Sequence, residues 1–472
     1  MNRLLQSPTL TTWLSFFVKI SIFILIIPLV VNRLPAETLN VWALFMTIIT
    51  IQNLLDIGFG TTFLRAFTYA NEGVGNFASN FSDVSKLDLK GDRQELLSSV
   101  FNTMIRIYFY LSVLQLFVML IAGSMVLQHP IQLTNQSLEL WMTWLIIIGT
   151  SIFSINARKY INVFLGLNHV AEQKRIDAFM NALFIGLALI GFYLSNSVLV
   201  FFLVFQSVHI FTWLIYRKSS VIQSVTARRK GLIGKLEDNV FAEIWPSAWQ
   251  SLVGIICATG LTQSTGLIYA QLASASDSAV YLIYLRIVSG ISTFSQAPFY
   301  SKIPVMSKLR ATANTEKFVE MVVTFMQRSF WVYSLSIVFF LSFGIRILNY
   351  FGKEVQFGNE NLFYILGLSF FFERYGAMHS QIVSTSNKII WHYVNGLNFI
   401  ITLALIGILY SCLDVLSFPV GLLIGNAMIF TTISAYKSHQ LLKTSALKFE
   451  MNTALFPLLL LISFIFIHSN YF

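Results

Sequence analysis

Apolar stretches of about twenty residues, the length a helix needs to cross a hydrocarbon core of roughly 30 Å, recur along almost the whole chain. They fall near residues 12–31, 39–64, 99–127, 138–165, 176–194, 198–216, 244–270, 278–301, 320–348, 361–385, 390–410, 415–436 and 453–468, numbered below as spans 1 to 13. The pattern predicts an all-α polytopic membrane protein with twelve full spans and a short thirteenth. Span 1 is expected to remain as a helix, because Lys19 interrupts its apolar run and no small-x-small cleavage site follows before Glu37.

The polar segments between spans alternate sharply in charge. Loops after spans 1, 3, 5, 7, 9 and 11 hold only Arg33 and Lys353, whereas the N-terminal tail, the other loops and residues 437–452 hold 21 Lys or Arg. Cations collect on the cytoplasmic side, so the N-terminus is predicted to be cytoplasmic and, if span 13 crosses, Phe472 lies outside. The longest basic loop, around Arg217, Lys218, Arg228, Arg229, Lys230 and Lys235, falls midway between two sets of six spans. The expected organisation is therefore an N-lobe over 1–217, a cytoplasmic linker over 218–243, a C-lobe over 244–437, and a basic loop with an accessory span over 438–472. Six is even, so both lobes start on the same side, and a duplication would relate them by a pseudo-twofold axis along the membrane normal. Leu34 before Val41 and Trp42, beside Leu272 before Val280 and Tyr281, is a faint echo of such a repeat. In loop 66–98, the sign-mixed series Asp83, Lys86, Asp88, Lys90, Asp92, Arg93, Glu95 reads as an exposed helix leading into span 3.

Composition agrees and removes several function classes. The 472 residues are 56% hydrophobic and only 11% charged, against about 25% in soluble domains. Two cysteines, Cys257 and Cys412, exclude a disulfide scaffold or a CxxC metal site. The net charge of +10 is what basic cytoplasmic loops beside anionic lipid produce, so no nucleic-acid partner is implied. The chain lacks GxxxxGK[ST], GxGxxG after a strand, and HExxH, and its external turns are too short to build a catalytic domain. Its histidines, 129, 169, 209, 379, 392, 439 and 468, show no metal-ligand spacing. No catalytic residue, cofactor or metal is expected, which leaves polar groups inside the membrane as the informative ones.

Eight cations lie within spans: Lys19, Arg106, Arg158, Lys159, Arg286, Arg328, Arg346 and Arg374. Arg106, Arg158, Lys159, Arg328 and Arg346 stand near span ends and can snorkel to the interface. Lys19, Arg286 and Arg374 are too deep for that and must face protein, water or an anion. Asp56 stands at nearly the depth of Lys19 on the adjacent helix, making an ion pair feasible, either as a staple or as a proton-sensitive cation site. Glu373 and Arg374, as helix neighbours, point about 100° apart, so each is expected to have another partner. In span 7, Ala258-Thr259-Gly260-Leu261-Thr262-Gln263-Ser264-Thr265-Gly266 is small and polar at the membrane midplane. That composition serves close helix packing, or a bend that faces a water-filled cavity; the bend is the favoured expectation.

The run Leu54-Leu55-Asp56-Ile57-Gly58-Phe59-Gly60-Thr61-Thr62-Phe63-Leu64-Arg65-Ala66 resembles the D-x-G followed by Arg that closes span 2 in the Wzx or O-antigen transporter family, polysaccharide repeat-unit flippases of the multidrug/oligosaccharidyl-lipid/polysaccharide exporter superfamily. Trp249-Gln250, Gln263, Leu285-Arg286-Ile287, and Pro304 before Lys308 and Arg310 look like that family's C-terminal lobe. The resemblance covers spans 1 to 12. It implies a V-shaped pair of six-helix lobes that moves an undecaprenyl-diphosphate-linked oligosaccharide to the periplasmic leaflet of the bacterial cytoplasmic membrane, with other polysaccharide-assembly membrane proteins as potential partners. In related lipid II flippases, cations at places matching Lys19, Arg65 and Arg286 line a central cavity. Asp56, Gln263 and Arg374 complete the expected substrate-binding set, and Asp56 and Glu373 are the coupling-ion candidates. The chain departs from the family in having Lys at 19 rather than Arg, and its thirteenth span does not match the extra helices of lipid II flippases. Two rivals are a drug/cation antiporter of the same superfamily, which would want an acidic cavity, and an integral-membrane glycan polymerase or transferase, which would want larger external loops.

Overall fold

A computed structural model of the chain describes residues 26–52, 54–71, 93–226, 238–311, 314–352, 355–385, 390–442 and 444–471. Every regular element among these residues is helical. Eight of the described helices are long and apolar enough to cross a membrane, and nine if the bent pair Ala446–Asn452 and Leu455–Asn470 counts as one. Thirteen were expected, and the difference has specific causes. Most of span 1 and residue 53 within span 2 lie outside the described residues, so span 2 is described only as Ala36–Gln52 and Leu54–Asn71. Span 10, Glu360–Ser384, carries Glu373, Arg374, His379 and several serines, which take it below the apolar threshold. Spans 11 and 12 follow one another through a single 3-10 turn, Asp414–Leu416, so that Trp391–Leu442 counts as one stretch.

That last stretch nevertheless folds back on itself. Asp414 adopts φ 48°, a left-handed conformation that Asp tolerates better than most residues, and it ends the Trp391–Leu413 helix. Beyond it, Gly421 lies against Ile406 and Gly425 against Thr402 and Asn398, so contacts retreat along one arm as they advance along the other. Spans 11 and 12 therefore form an antiparallel hairpin with its turn at Asp414. A Cβ at Gly425 would collide with the Thr402 hydroxyl and come within 2.9 Å of Asn398 Oδ1. Gly425→Val is expected to destabilise the protein by about 1–3 kcal/mol through overpacking, read as a lowered Tm in detergent. An unchanged Tm would mean that the hairpin opens without cost.

The chain divides into two compact units, with dividing points inside helices, between Ala43 and Leu44 and between Gln263 and Ser264. In the unit containing Leu44–Gln263, the Arg93–Gln132 and Ser137–Gly166 stretches of spans 3 and 4 are antiparallel. Asn162 donates to the Tyr108 hydroxyl at 2.7 Å, Asn156 to Ser112 at 3.2 Å, and Gln115 to the Ser151 carbonyl at 3.4 Å. Spans 2 and 4 run parallel, since Asp56 meets Arg158 and, further along both, Thr68 donates to the Gly166 carbonyl at 3.2 Å. Glycine at 166 is required there, because a Cβ would come within 2.5 Å of Phe67 Cβ and 2.9 Å of the Leu64 carbonyl. Phe63, Phe67, Tyr108, Phe164 and Tyr216 fill the core between these helices. Glu139 at the start of span 4 accepts from Ser197 Oγ at 2.6 Å and from the Leu199 amide at 3.1 Å, placing a carboxylate at the amino end of span 6.

In the other unit, spans 7 and 8 turn about Ser274, which caps the Ala275–Ser295 helix by accepting from the Asp277 amide at 3.2 Å. Tyr269 and Tyr281 stack across this turn with ring centroids 4.2 Å apart. Spans 8 and 10 are parallel, joined by Tyr284 on Phe363 toward one end and by Arg374 on Ser292 toward the other. Spans 10 and 12 are also parallel, with Gly376 against Phe430 and Ser380 bonded to Ser434 at 2.9 Å. The same parallel pairing thus appears for spans 2 and 4 and for spans 8 and 10. Single π-helical turns occur at Met119–Gly123 in span 3 and Phe340–Gly344 in span 9, each about 25 residues after its helix begins, and a third at Gly425–Phe430 in span 12.

Span 13 is tied to span 10 at both ends. His468 Nδ1 lies 2.7 Å from the Tyr364 hydroxyl and 3.2 Å from Glu360, at the start of span 10. Glu450, before span 13, lies 3.6 Å from His379 toward the end of span 10. The two helices are therefore antiparallel over a common length, and Leu455–Tyr471 traverses the depth that span 10 traverses.

Candidate functional site

Three of the expected charged groups, Asp56, Glu373 and Arg374, lie in two polar clusters, one in each unit. The first is centred on Asp56, which is 5% exposed. Tyr108 donates its hydroxyl proton to Asp56 Oδ1 and accepts from Asn162, while Arg158 Nη1 stands 3.4 Å from Asp56 Oδ2. Gly60, one helical turn beyond Asp56, explains part of the D-x-G-x-G pattern. Its position lies 3.3 Å from both side-chain heteroatoms of Asn162 and 3.4 Å from Asp56 Oδ2, so the missing side chain lets span 4 reach the carboxylate. The network extends through Ser112 to Asn156, whose Oδ1 accepts from Lys159 at 2.8 Å.

This arrangement corrects one expectation. Arg158 does not simply snorkel to the interface; it reaches Asp56 and neutralises it, with 27% of its side chain still exposed. Lys19, the partner proposed for Asp56 from depth alone, lies outside the described residues. Arg65 is on the Leu54–Asn71 helix, and its side chain lies outside the described ones. Of the other cations expected near span ends, Arg106 donates to the Tyr110 hydroxyl at 3.4 Å and Arg328 lies over the Phe325 ring at 5.0 Å.

The second cluster surrounds Arg374, which is 7% exposed. Its Nε and Nη2 donate to Ser292 Oγ at 3.1 and 2.9 Å, Nη1 donates to Gln296 Oε1 at 2.6 Å, and Nη2 donates to Glu373 Oε2 at 3.0 Å. Glu373 and Arg374 are thus a pair, contrary to the expectation from their 100° separation. The long arginine side chain folds toward Ser292 on span 8, and Ser292 also donates to Glu373 at 3.4 Å, so a third residue draws the two heads together. Arg374 consequently spends its guanidinium on fixing span 10 to span 8.

Arg286 precedes this cluster on the same helix, eleven residues after Ala275 and so about 16 Å from its start. Among the described helices apolar enough to cross a membrane, that helix is the most enclosed, with 67% of its most apolar stretch buried. Isolating a guanidinium there from protein and water is costly, so its surroundings must solvate it.

Span 7 differs from expectation. Asp238–Leu272 is a continuous α-helix, with no break between Thr259 and Gly266. Gly266 faces Leu282 and Leu285, with a Cβ position only 2.8 Å from Leu282, and Thr265 receives the Tyr281 hydroxyl at 3.4 Å. Close small-residue packing accounts for this part of the polar run. Gln263 is 5% exposed and so lies inside the protein. The mixed-sign series 83–92 and the basic run at 228–230 lie outside the described residues, although Ser220–Thr226 forms a short helix where a linker was expected.

One constellation had no sequence signal. His379, His439 and Glu450, separated by 60 and 11 positions, bring their side-chain donors within 4.8 Å of one another. Scattered histidines converge when parallel helices and the segment after them meet, which spacing along the chain cannot reveal.

No protein-family model matches the chain, and no curated protein matches it. Solved structures do. The lipid II flippase MurJ in an inward closed conformation matches with a TM-score of 0.60 at 14% identity, over 98% of this chain and 93% of that one. An inward-facing multidrug resistance MATE family transporter of the MOP superfamily matches with a TM-score of 0.59 at 14% identity, over 90% of this chain and 96% of that one. A MOP superfamily transporter from Pyrococcus furiosus matches with a TM-score of 0.60 at 14% identity, over 94% and 98%. The protein is a multi-pass membrane protein with the fold of these transporters.

Proposed function

We propose that this protein is a flippase that carries an undecaprenyl-diphosphate-linked oligosaccharide across the bacterial cytoplasmic membrane by alternating access of two six-span lobes, 1–217 and 244–437, with linker 218–243 and the N-terminus cytoplasmic. A charged glycan head cannot enter hydrocarbon, so the protein must supply a polar, cationic path while the prenyl chain stays in lipid. The observation that carries this reading is the charge balance inside the spans. The two deep carboxylates, Asp56 and Glu373, are each held against an arginine of their own unit, by 3.4 Å and 3.0 Å contacts. Cations outnumber them along the spans, and Arg286 is half-buried, with its Nη2 nitrogen enclosed by the protein. A drug/cation antiporter needs a carboxylate available to its substrate, whereas a diphosphate suits the planar fork of arginine. Likeness to both a lipid II flippase and MATE transporters supports transport rather than glycan polymerisation, and the comparison alone favours neither cargo.

In this reading Arg286 contacts the diphosphate, and Lys19 and Arg65 are the first-lobe candidates that the sequence adds. Gln263 contributes a hydrogen bond, and Arg374 and Asp56 position the helices around the site. No nucleotide is hydrolysed; the driving force is an ion gradient, the membrane potential or consumption of the product outside. Purified protein in liposomes tests the proposal by two readouts, leaflet transfer of a labelled prenyl-diphosphate glycan and uptake of a lipophilic cation. Glycan-lipid transfer with no cation uptake is expected. Cation transport without glycan-lipid transfer would overturn the reading in favour of the antiporter.

A further inference from the structure

We propose that His379, His439 and Glu450 form a binding site for a transition-metal cation of the Zn2+ class, which clasps the C-terminal accessory helix to the end of span 10. Three elements supply the ligands: span 10 carries His379, the Thr431–Leu442 helix carries His439, and the short Ala446–Asn452 helix that bends by 58° into span 13 carries Glu450. All three belong to the unit that begins at Ser264.

Two of the three ligand separations suit one ion, and all three ligand atoms lie within 4.8 Å of one another. Glu450 Oε1 lies 3.0 Å from His439 Nε2 and 3.6 Å from His379 Nε2. Four-coordinate zinc with bonds of about 2.0–2.1 Å places neighbouring ligand atoms roughly 3.3 Å apart, between those two distances. Two imidazoles and one carboxylate make a His2Glu set that leaves a fourth position for water, a combination that favours zinc over calcium or magnesium.

A second observation points to a cation. His379 is fully buried; its Nδ1 has no hydrogen-bond partner, its Nε2 faces Glu450 Oε1 at 3.6 Å, beyond a normal hydrogen bond, and Nδ1 of His439 is likewise buried without a partner. Buried polar atoms are ordinarily satisfied, and a metal on the ring nitrogen that faces Glu450 would satisfy His379. The surroundings also fit. Tyr375 and Phe449 lie against the His379 ring, with centroids 4.4 and 5.8 Å away, forming an aromatic wall. Thr453 donates to the other oxygen of Glu450 at 3.4 Å, and the Tyr375 hydroxyl interacts electrostatically with the same carboxylate, so outer groups help to orient the ligand.

The test uses the full-length protein in detergent, stripped with a chelator, exposed to Zn2+ alone, desalted and assayed for metal by mass spectrometry. One zinc per chain is expected, lost in Glu450→Gln and in His439→Ala, with Tyr375→Phe weakening binding by about 10–100-fold. Co2+ binding to the wild-type chain gives a second readout that needs no folded variant, since a tetrahedral nitrogen and oxygen site produces strong visible bands and a hydrated ion does not. Zinc that remains after Glu450→Gln and His439→Ala are combined, or a wild-type chain with neither bound zinc nor cobalt bands, would overturn the site.

Discussion

Replacing Arg286 with alanine is expected to remove surface glycan almost completely in cells that depend on this protein, at matched membrane abundance. The reasoning starts from depth. Arg286 is about 16 Å along a helix that is the most enclosed of the described apolar spans, so its head is inside the protein. Inserting arginine at mid-membrane costs at least about 2.5 kcal/mol on insertion scales, and a diphosphate that engages the guanidinium gives that cost a function. Charge-assisted hydrogen bonds are each worth about 1.5–3 kcal/mol, so losing two of them should slow transport by about a hundredfold or more. Arg286→Lys keeps the charge and loses the bidentate fork, so it should retain more transport than Arg286→Ala, while Arg286→Glu places like charges together and should abolish it. The order Lys above Ala above Glu separates phosphate binding from a packing role, in which Lys and Ala would fall together. Normal surface glycan with Arg286→Ala would exclude Arg286 as an essential phosphate ligand and leave it as a structural charge.

The positions of most spans were legible because the bilayer imposes a length and an apolar composition on each crossing helix, whatever the tertiary contacts. Span 10 shows where apolarity alone understates the case. Its glutamate, arginine, histidine and serines are turned toward spans 8, 12 and 13, so the least apolar full span is among the best buried. Conversely, the polar run of span 7 was read as a bend because glycine and glutamine were assumed to disturb the helix. Once Gly266 admits Leu282 and Thr265 meets Tyr281, the same residues sustain a regular helix in close packing.

Pairing was much harder to read than position. Equal depth on neighbouring helices makes Lys19 a candidate partner for Asp56, and Lys19 lies outside the described residues; depth leaves the direction around the helix open, so it does not single out Arg158, the partner found among the described residues. What selects Arg158 is the parallel packing of spans 2 and 4, made close by Gly60 against Asn162 and by Gly166 against Phe67. For Glu373 and Arg374, the angular argument held for the Cβ directions but not for the heads, because a side chain as long as arginine can turn back when Ser292 waits on span 8. The His379, His439 and Glu450 cluster lies beyond both arguments, since its ligands meet only after span 12 has aligned with span 10 and the chain has turned into span 13.

The Asp56 and Arg158 pair carries the other large expected effect, and it distinguishes a staple from a proton-coupling site. Asp56 accepts the Tyr108 hydroxyl and faces Arg158, with only 8% of its side chain exposed, so deleting the carboxylate strands a guanidinium and a phenol in a low dielectric. Breaking a buried pair from one side costs about 3–5 kcal/mol, and Asp56→Ala should lower stability by an amount in that range. Arg158→Gln should cost less, because Tyr108 still donates to Asp56 and the arginine head was partly exposed. If the pair is a staple, combining Asp56→Asn with Arg158→Gln relieves the stranded charge, so the double variant is more stable than the two single losses predict, by about 0.5–3 kcal/mol, and transport returns with folding. If protonation of Asp56 drives the cycle, Asp56→Asn mimics its protonated form, and the double variant recovers stability while transport stays lost. Unfolding in detergent and leaflet transfer in liposomes, measured on the same four proteins, read both quantities. Strictly additive stability losses would show that the two side chains do not depend on each other and would remove the pair as either a staple or a switch.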